Sequence, residues 1–136
     1  MQFLLLDYNY FWLGLAIISG AMLLVPMLRG NSDAVSPQQA VLLVNRENAV
    51  IVDVREKTEF AAGHLPAARN IPLKEIEARS SELKKFMKRP LIVVCQSGNR
   101  SRNALDALRK AGFERVVNLD GGFAAWLQAG QPISRA

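Results

Sequence analysis

The sequence predicts an α/β fold, a mostly parallel sheet with helices on both faces. Short apolar runs rich in Val and Ile alternate with stretches of helical period, and polar or glycine-containing loops follow the apolar runs. The runs Val50–Val54 and Leu91–Val94 are too short and too β-branched for helices, and they lack the alternation of a half-solvated strand, so they read as strands buried on both faces. With 136 residues, 50% of them hydrophobic, the chain holds one such domain and little more.

In chain order, the first element is an uncharged stretch from Tyr10 to Leu28, about 19 residues against the roughly 20 that span a bilayer as a helix. It predicts one N-terminal transmembrane helix, with Tyr8, Tyr10 and Trp12 at one interface and Arg29 at the other. All 17 Lys and Arg follow the stretch, while Asp7 precedes it. The positive-inside rule then places the N-terminus outside and the domain on the cytoplasmic face of the plasma (inner) membrane, as a single-pass protein. A cleaved signal peptide fits less well, because the basic n-region is missing and the apolar run exceeds the usual h-region. Ala16 and Gly20 form a small-xxx-small pair, and a weak homodimer is the most they predict.

Residues 1–30 are thus expected to form the anchor, 31–35 a polar linker and 36–136 the domain. Ser36 before Pro37 is an N-cap followed by proline at the first helical position, opening a helix to about Asn45 that turns Ala40, Val41, Leu43 and Val44 inward. Val50–Val54 is the next strand, with Asp53 and Arg55 at its carboxyl end, the edge where α/β folds build sites. Asn70–Leu73 reads as a short strand. Glu75–Phe86 reads as a charged helix with Ile76, Leu83 and Phe86 inside. Arg115–Leu119 is the last strand, and Asp120, Gly121 and Gly122 turn the chain into a helix from Phe123 to Ala129 with Trp126 in the core.

The chemistry is concentrated in Leu91–Ser101, LIVVCQSGNRS, where a strand runs into the single cysteine of the chain and a tight polar loop. From Arg100 to Ala111, Ala104, Leu105, Leu108 and Ala111 share one helical face, and Gly112 follows as a stop. Cys95 therefore sits between a strand's carboxyl end and a helix N-terminus, where unpaired N–H groups and a partial positive charge favour an anion. With Arg100 and Arg102 nearby, its thiol pKa is expected to fall from about 8.5 into a range of roughly 3.5 to 7.5. A lone cysteine forms no intrachain disulfide, and a catalytic thiol needs a reducing compartment, which agrees with a cytoplasmic domain. The formal charge of +5 comes from scattered Lys and Arg interleaved with acids, so no nucleic-acid partner is expected.

CQSGNRS resembles the active-site loop of the rhodanese-like sulfurtransferases. The stretch DVREKTEFAAGHLPAARNIP resembles that family's D-x-R strand end followed by GH-x-P-x-A-x-NIP, and GGFAAWLQAGQP resembles its C-terminal signature. The resemblance covers about Val35 to Ile133 and leaves out the anchor. It implies that Cys95 carries a persulfide, with Gln96, Ser97, Gly98, Asn99, Arg100 and Ser101 forming the loop around the transferred sulfur. Phosphatases of the same fold place five residues between Cys and Arg; here four intervene, which fits sulfur and disfavours phosphatase or arsenate reductase chemistry. Asp53 and Arg55 have two readings, supports that orient the loop or a solvated ion pair worth under about 1 kcal/mol. His64, between Gly63 and Leu65, is expected to bond backbone in a turn and not to act as a base.

The expected function is transfer of a sulfane sulfur from a small-molecule or protein donor to a nucleophilic acceptor, with no metal and no organic cofactor. Thiosulfate is the obvious donor. Gln96 and Ser97 stand where some thiosulfate-preferring members carry basic residues, which points equally to a protein-bound persulfide. The rival expectation from another class is a membrane-tethered, non-catalytic rhodanese-like binding module.

Overall fold

The computed structural model describes residues 2–28 and 33–135. Its second unit, Asp33 onward, is built around β4 (Leu91–Val94), the middle of a five-stranded, all-parallel sheet. The strand order is β1 (Ala34–Val35), β5 (Val116–Leu119), β4, β2 (Val50–Asp53) and β3 (Arg69–Asn70). β4 and β2 are buried at every position, as expected of strands covered on both faces. Alternation along the strands divides the core. Val50, Val52, Leu91, Val93 and Cys95 face α5 (Ser101–Lys110), which contributes Ala104, Leu105 and Leu108. Ile51, Ile92 and Val94 face the other layer, where Ala40 of α2 (Pro37–Glu47) meets Phe123 and Trp126 of α6 (Gly122–Gln128).

The α2 start is a capping box: Ser36 Oγ accepts from the Gln39 N–H at 3.2 Å, and Gln39 Oε1 accepts from the Ser36 N–H at 2.9 Å. The helix runs past Asn45 because left-handed Asn48 (φ 53°) turns the chain so that the Ala49 N–H donates back to Leu43 O at 3.2 Å and closes the final turn.

Three expectations are corrected. Within the expected linker, Ala34–Val35 form β1, paired in parallel with Asn118 and Leu119, and the Asn118 N–H donates to Asp33 O; this edge belongs to the sheet. Linker residues 31 and 32 lie outside the described residues, as do Arg29, Gly30 and Ala136. The expected strand Asn70–Leu73 is cut to Arg69–Asn70, since Pro72 has no N–H to continue the ladder and Leu73–Glu75 closes a 3₁₀ turn. The expected helix Glu75–Phe86 is broken into α4 (Ile76–Arg79) and a 3₁₀ stretch, Ser80–Phe86. Ser80 Oγ donates to Glu77 O, competing with the helical ladder, and the three-residue step from buried Leu83 to half-buried Phe86 suits a 3₁₀ period. β2 ends one residue before Val54, the last strand starts at Val116, and α6 starts at Gly122.

The first unit is a separate helix, α1 (Gln2–Leu28). Among the described residues, no helix is long and apolar enough to cross a membrane. Phe11, Trp12, Leu13, Leu15, Ile17 and Met22, which fall over most of the helix circumference, are all exposed.

Candidate active site

β4 delivers Cys95 to the sheet's carboxyl edge on the α5 side, fully buried. The next residues turn through Gly98, whose φ of +93° lets its N–H swing back to donate to Cys95 Sγ at 2.8 Å. α5 then begins at Ser101, whose Oγ lies 3.5 Å from Sγ, accepting from the thiol and able to donate to the thiolate. The one Ser101 hydroxyl proton has Gly98 O at 2.9 Å and Asn118 Oδ1 as alternative acceptors. Asn118 Nδ2 donates to Gly98 O at 3.1 Å. Asn118 comes from β5, opposite Val93 in the register, so the sheet itself sets the height of this amide beneath the loop.

The loop is also held from α6. The N–H groups of Phe123 and Ala124 donate to Cys95 O (2.8 Å) and Gln96 O (3.2 Å). That approach is possible because Gly122 has no side chain: a Cβ there would lie 2.3 Å from Cys95 O. With its carbonyls bound outward, the loop is left to present N–H groups inward. Burial is the largest influence on the Cys95 thiol and pushes its pKa up; the Ser101 hydroxyl and the backbone groups of Ser101, Ser97 and Gly98 together outweigh it, and the pKa ends below that of an ordinary cysteine.

The direction matches the expectation, and so does the share assigned to backbone N–H groups; the share assigned to the arginines does not. Arg100 turns away from the sulfur and grips Glu59 of α3 (Lys57–Ala62), Nη1 to Oε1 at 3.2 Å and Nη2 to Oε2 at 3.1 Å. That bond holds the Glu59 carboxyl below its usual range and pushes the Arg100 guanidinium up. Arg102 is exposed on α5. Gln96, Ser97 and Asn99 are exposed at the mouth and Gly98 is buried beneath it. Among the six loop residues, Gly98 and Ser101 hydrogen-bond the sulfur, and the Ser97 backbone also favours its charged form.

Asp53 and Arg55 are not a solvated pair. Their side chains are 0% and 2% exposed, and Arg55 Nε and Nη2 engage both carboxylate oxygens at 2.8 to 3.1 Å. Arg55 also donates to Gly63 O at 2.7 Å and to Gln96 Oε1 at 3.4 Å, and its guanidinium stacks 4.2 Å from the Phe123 ring centroid. The pair ties the β2 end to the first loop residue and to α6. His64 bonds Phe60 O through Nδ1 (2.7 Å), stacks on the Phe60 ring, and pairs its backbone with Ser134, the turn role expected of it. Beside Gln96 a cavity of about 350 Å³ is lined by Arg55, Glu59, Phe123, Leu127 and Ile133.

Two site residues escaped the sequence reading. Asn118 left a signal, a polar residue inside the apolar run VVNL; Glu59 left none, because an acid on a short exposed helix is ordinary until its partner is known.

A thiol below its ordinary pKa, buried at the carboxyl edge of a parallel sheet within a short ring of N–H donors, marks Cys95 as the candidate nucleophile of this α/β domain. Residues 36–129 match the family model of the Rhodanese-like domain, and the chain belongs to that family. It is 39% identical over 98 residues to the Uncharacterized protein slr1261 of Synechocystis, covering 72% of this chain but 54% of that one, so it spans about half of that relative's length. It is 38% identical over 94 residues to the Thiosulfate sulfurtransferase GlpE of Pseudomonas putida, covering 68% of this chain and 82% of that one. Among solved structures, the Alr3790 protein of Anabaena superposes with a TM-score of 0.66 at 30% identity, over 75% of this chain and 82% of that one.

Proposed function

We propose that this protein is a sulfurtransferase in which Cys95 is the carrier. The Cys95 thiolate attacks the sulfane sulfur of a donor such as thiosulfate or a protein persulfide. A bond forms between Sγ and that sulfur, and the donor's S–S bond breaks with its electron pair leaving on sulfite or on the donor thiolate. A nucleophilic acceptor then attacks the outer sulfur and returns the Cys95 thiolate. The observation that carries the reading is the Gly98 N–H aimed at Sγ from 2.8 Å, in a loop with four residues between Cys95 and Arg100. Donors preorganised about an anion stabilise the charge that develops there without reorganising. The relatives that bear the name thiosulfate sulfurtransferase support it at the level of the family.

The test is thiocyanate formation from thiosulfate and cyanide by the full chain, with intact mass after donor treatment. A gain of about 32 Da on the wild type and none on Cys95→Ser is the expected result. No gain on the wild type leaves a non-catalytic binding module.

We also propose that α1 is a single-pass anchor of the inner membrane with the domain cytoplasmic. The uncharged stretch from Tyr10, the exposed apolar side chains around α1 and the absence of Lys and Arg before Arg29 support this. An impermeant protease should spare the domain in sealed cells and digest it in inside-out vesicles; the opposite pattern reverses the orientation.

A further inference from the structure

The two arginines that reach the loop from its flanks are already paired with carboxylates. Arg55 is spent on Asp53, and Arg100 presents both terminal nitrogens to both Glu59 oxygens, the fork-to-fork geometry that satisfies a guanidinium most fully. Yet Arg100 feels the sulfur's charge: after Glu59, the Cys95 thiolate also raises its pKa. The exposed loop positions Gln96, Ser97 and Asn99 are uncharged. The ring of N–H groups therefore suits one negative charge on the transferred sulfur, while Arg55 and Arg100, which flank the loop, are both held by carboxylates; Arg135 lines the cavity beside Gln96 from the C-terminal side.

We infer that Glu59 is a specificity-determining residue, neutralising Arg100 so that the site disfavours small dianionic donors and favours a persulfide of the form R–S–SH. This deepens, and rests on, the sulfurtransferase reading. In the step it favours, Cys95–S⁻ and R–S–SH give Cys95–S–S⁻ and R–SH. The Sγ–S bond forms, the donor's S–S bond breaks toward R–S, and the proton passes from the transferred sulfur to the departing thiolate. One negative charge enters and one remains, in the ring of N–H groups.

The experiment compares kcat/KM for thiosulfate with that for the uncharged persulfide of N-acetylcysteamine, using the full chain. Glu59→Gln frees Arg100 and should raise the thiosulfate-to-persulfide ratio about tenfold, mainly through KM, with the gain shrinking as salt is added because the pair is partly exposed. Adding Arg100→Gln to that variant should abolish the gain. Arg100→Gln alone leaves an uncompensated carboxylate at the mouth and should lower the ratio below wild type, a result that does not depend on Glu59→Gln folding well. A wild type that transfers sulfur but whose ratio is the same in Glu59→Gln and Arg100→Gln overturns this inference alone. A wild type that takes sulfur from neither donor overturns the sulfurtransferase reading and this inference with it.

Discussion

Gly122→Ala tests whether α6 shapes the loop. Gly122 sits at φ +61°, and an added Cβ would meet Cys95 O at 2.3 Å, Gln96 C at 2.8 Å and Ser97 N at 2.8 Å, all of them backbone. The closest contact is about 0.7 Å inside the 3.0 Å that real Cβ atoms respect, and no flexible side chain can yield. Two costs add. The left-handed backbone costs roughly 1–2 kcal/mol for a residue with a Cβ, and the forced separation of α6 from the loop costs roughly 1–3 kcal/mol as overpacking. At about 4–8 °C per kcal/mol for a domain near this size, a loss of roughly 2–5 kcal/mol lowers Tm by 10 °C or more. Gly130→Ala is the matched control, since Gly130 has φ +69° and nothing within 4 Å of its added Cβ, so it carries the backbone cost alone. Circular dichroism gives Tm, and the pH dependence of iodoacetamide alkylation gives the thiol pKa. Gly122→Ala should melt well below Gly130→Ala and show a raised thiol pKa, because retreat of the loop carbonyls swings the Gly98 N–H off the sulfur. Equal melting and equal alkylation profiles for the two variants would refute the idea that α6 holds the loop in shape.

Other outcomes follow from the same geometry. Because the folded Cys95 pKa lies below the unfolded value of about 8.5, the unfolded chain binds more protons between the two, and folding stability rises with pH across that window. Urea unfolding should show the wild type's advantage over Cys95→Ser complete above about pH 8.5 and lost as pH falls through the folded pKa; a difference that is flat or shrinks with rising pH contradicts the lowered pKa. Asn118→Ala strips a partner from Gly98 O and from Ser101, and should cost roughly 1–3 kcal/mol in urea and slow alkylation at neutral pH. Unchanged alkylation would make Asn118 merely structural. Asp53→Ala leaves Arg55 buried without its carboxylate and should cost about 3–5 kcal/mol, with much of the loss recovered by adding Arg55→Met; a loss near zero would mean the pair is hydrated in solution.

The strands around the site could be read directly, because Val50–Asp53 and Leu91–Val94 are buried on both faces and carry that fact in their composition. The loop was legible for a related reason: a single cysteine after such a run, then Gly98, then a helical period, leaves few backbone paths. What could not be read was who holds whom. The Arg100–Glu59 bond joins residues 41 apart in sequence, and its geometry depends on how α3 packs, which no local pattern encodes. The same holds for Ala34–Val35, too short to show alternation and made a strand only by the open edge of β5. The Glu75–Phe86 segment was misread because its apolar spacing fits an α-helix on paper, while Ser80 and the Leu83–Phe86 step favour tighter turns.

The groups that bind the loop's carbonyls all come later in the chain than the cysteine: the Asn118 amide for Gly98, and the Phe123 and Ala124 N–H groups for Cys95 and Gln96. On a ribosome adding about 5–20 residues each second, the thiol is therefore made before the groups that hold the loop's carbonyls. Until β5 slots in beside β4 and α6 closes over the loop, Cys95 is an ordinary cysteine on an unfinished sheet. The loop takes its shape only when β5 and α6 dock, so a nascent chain that has not reached Asn118 and Phe123 carries Cys95 on a loop whose carbonyls are still unheld.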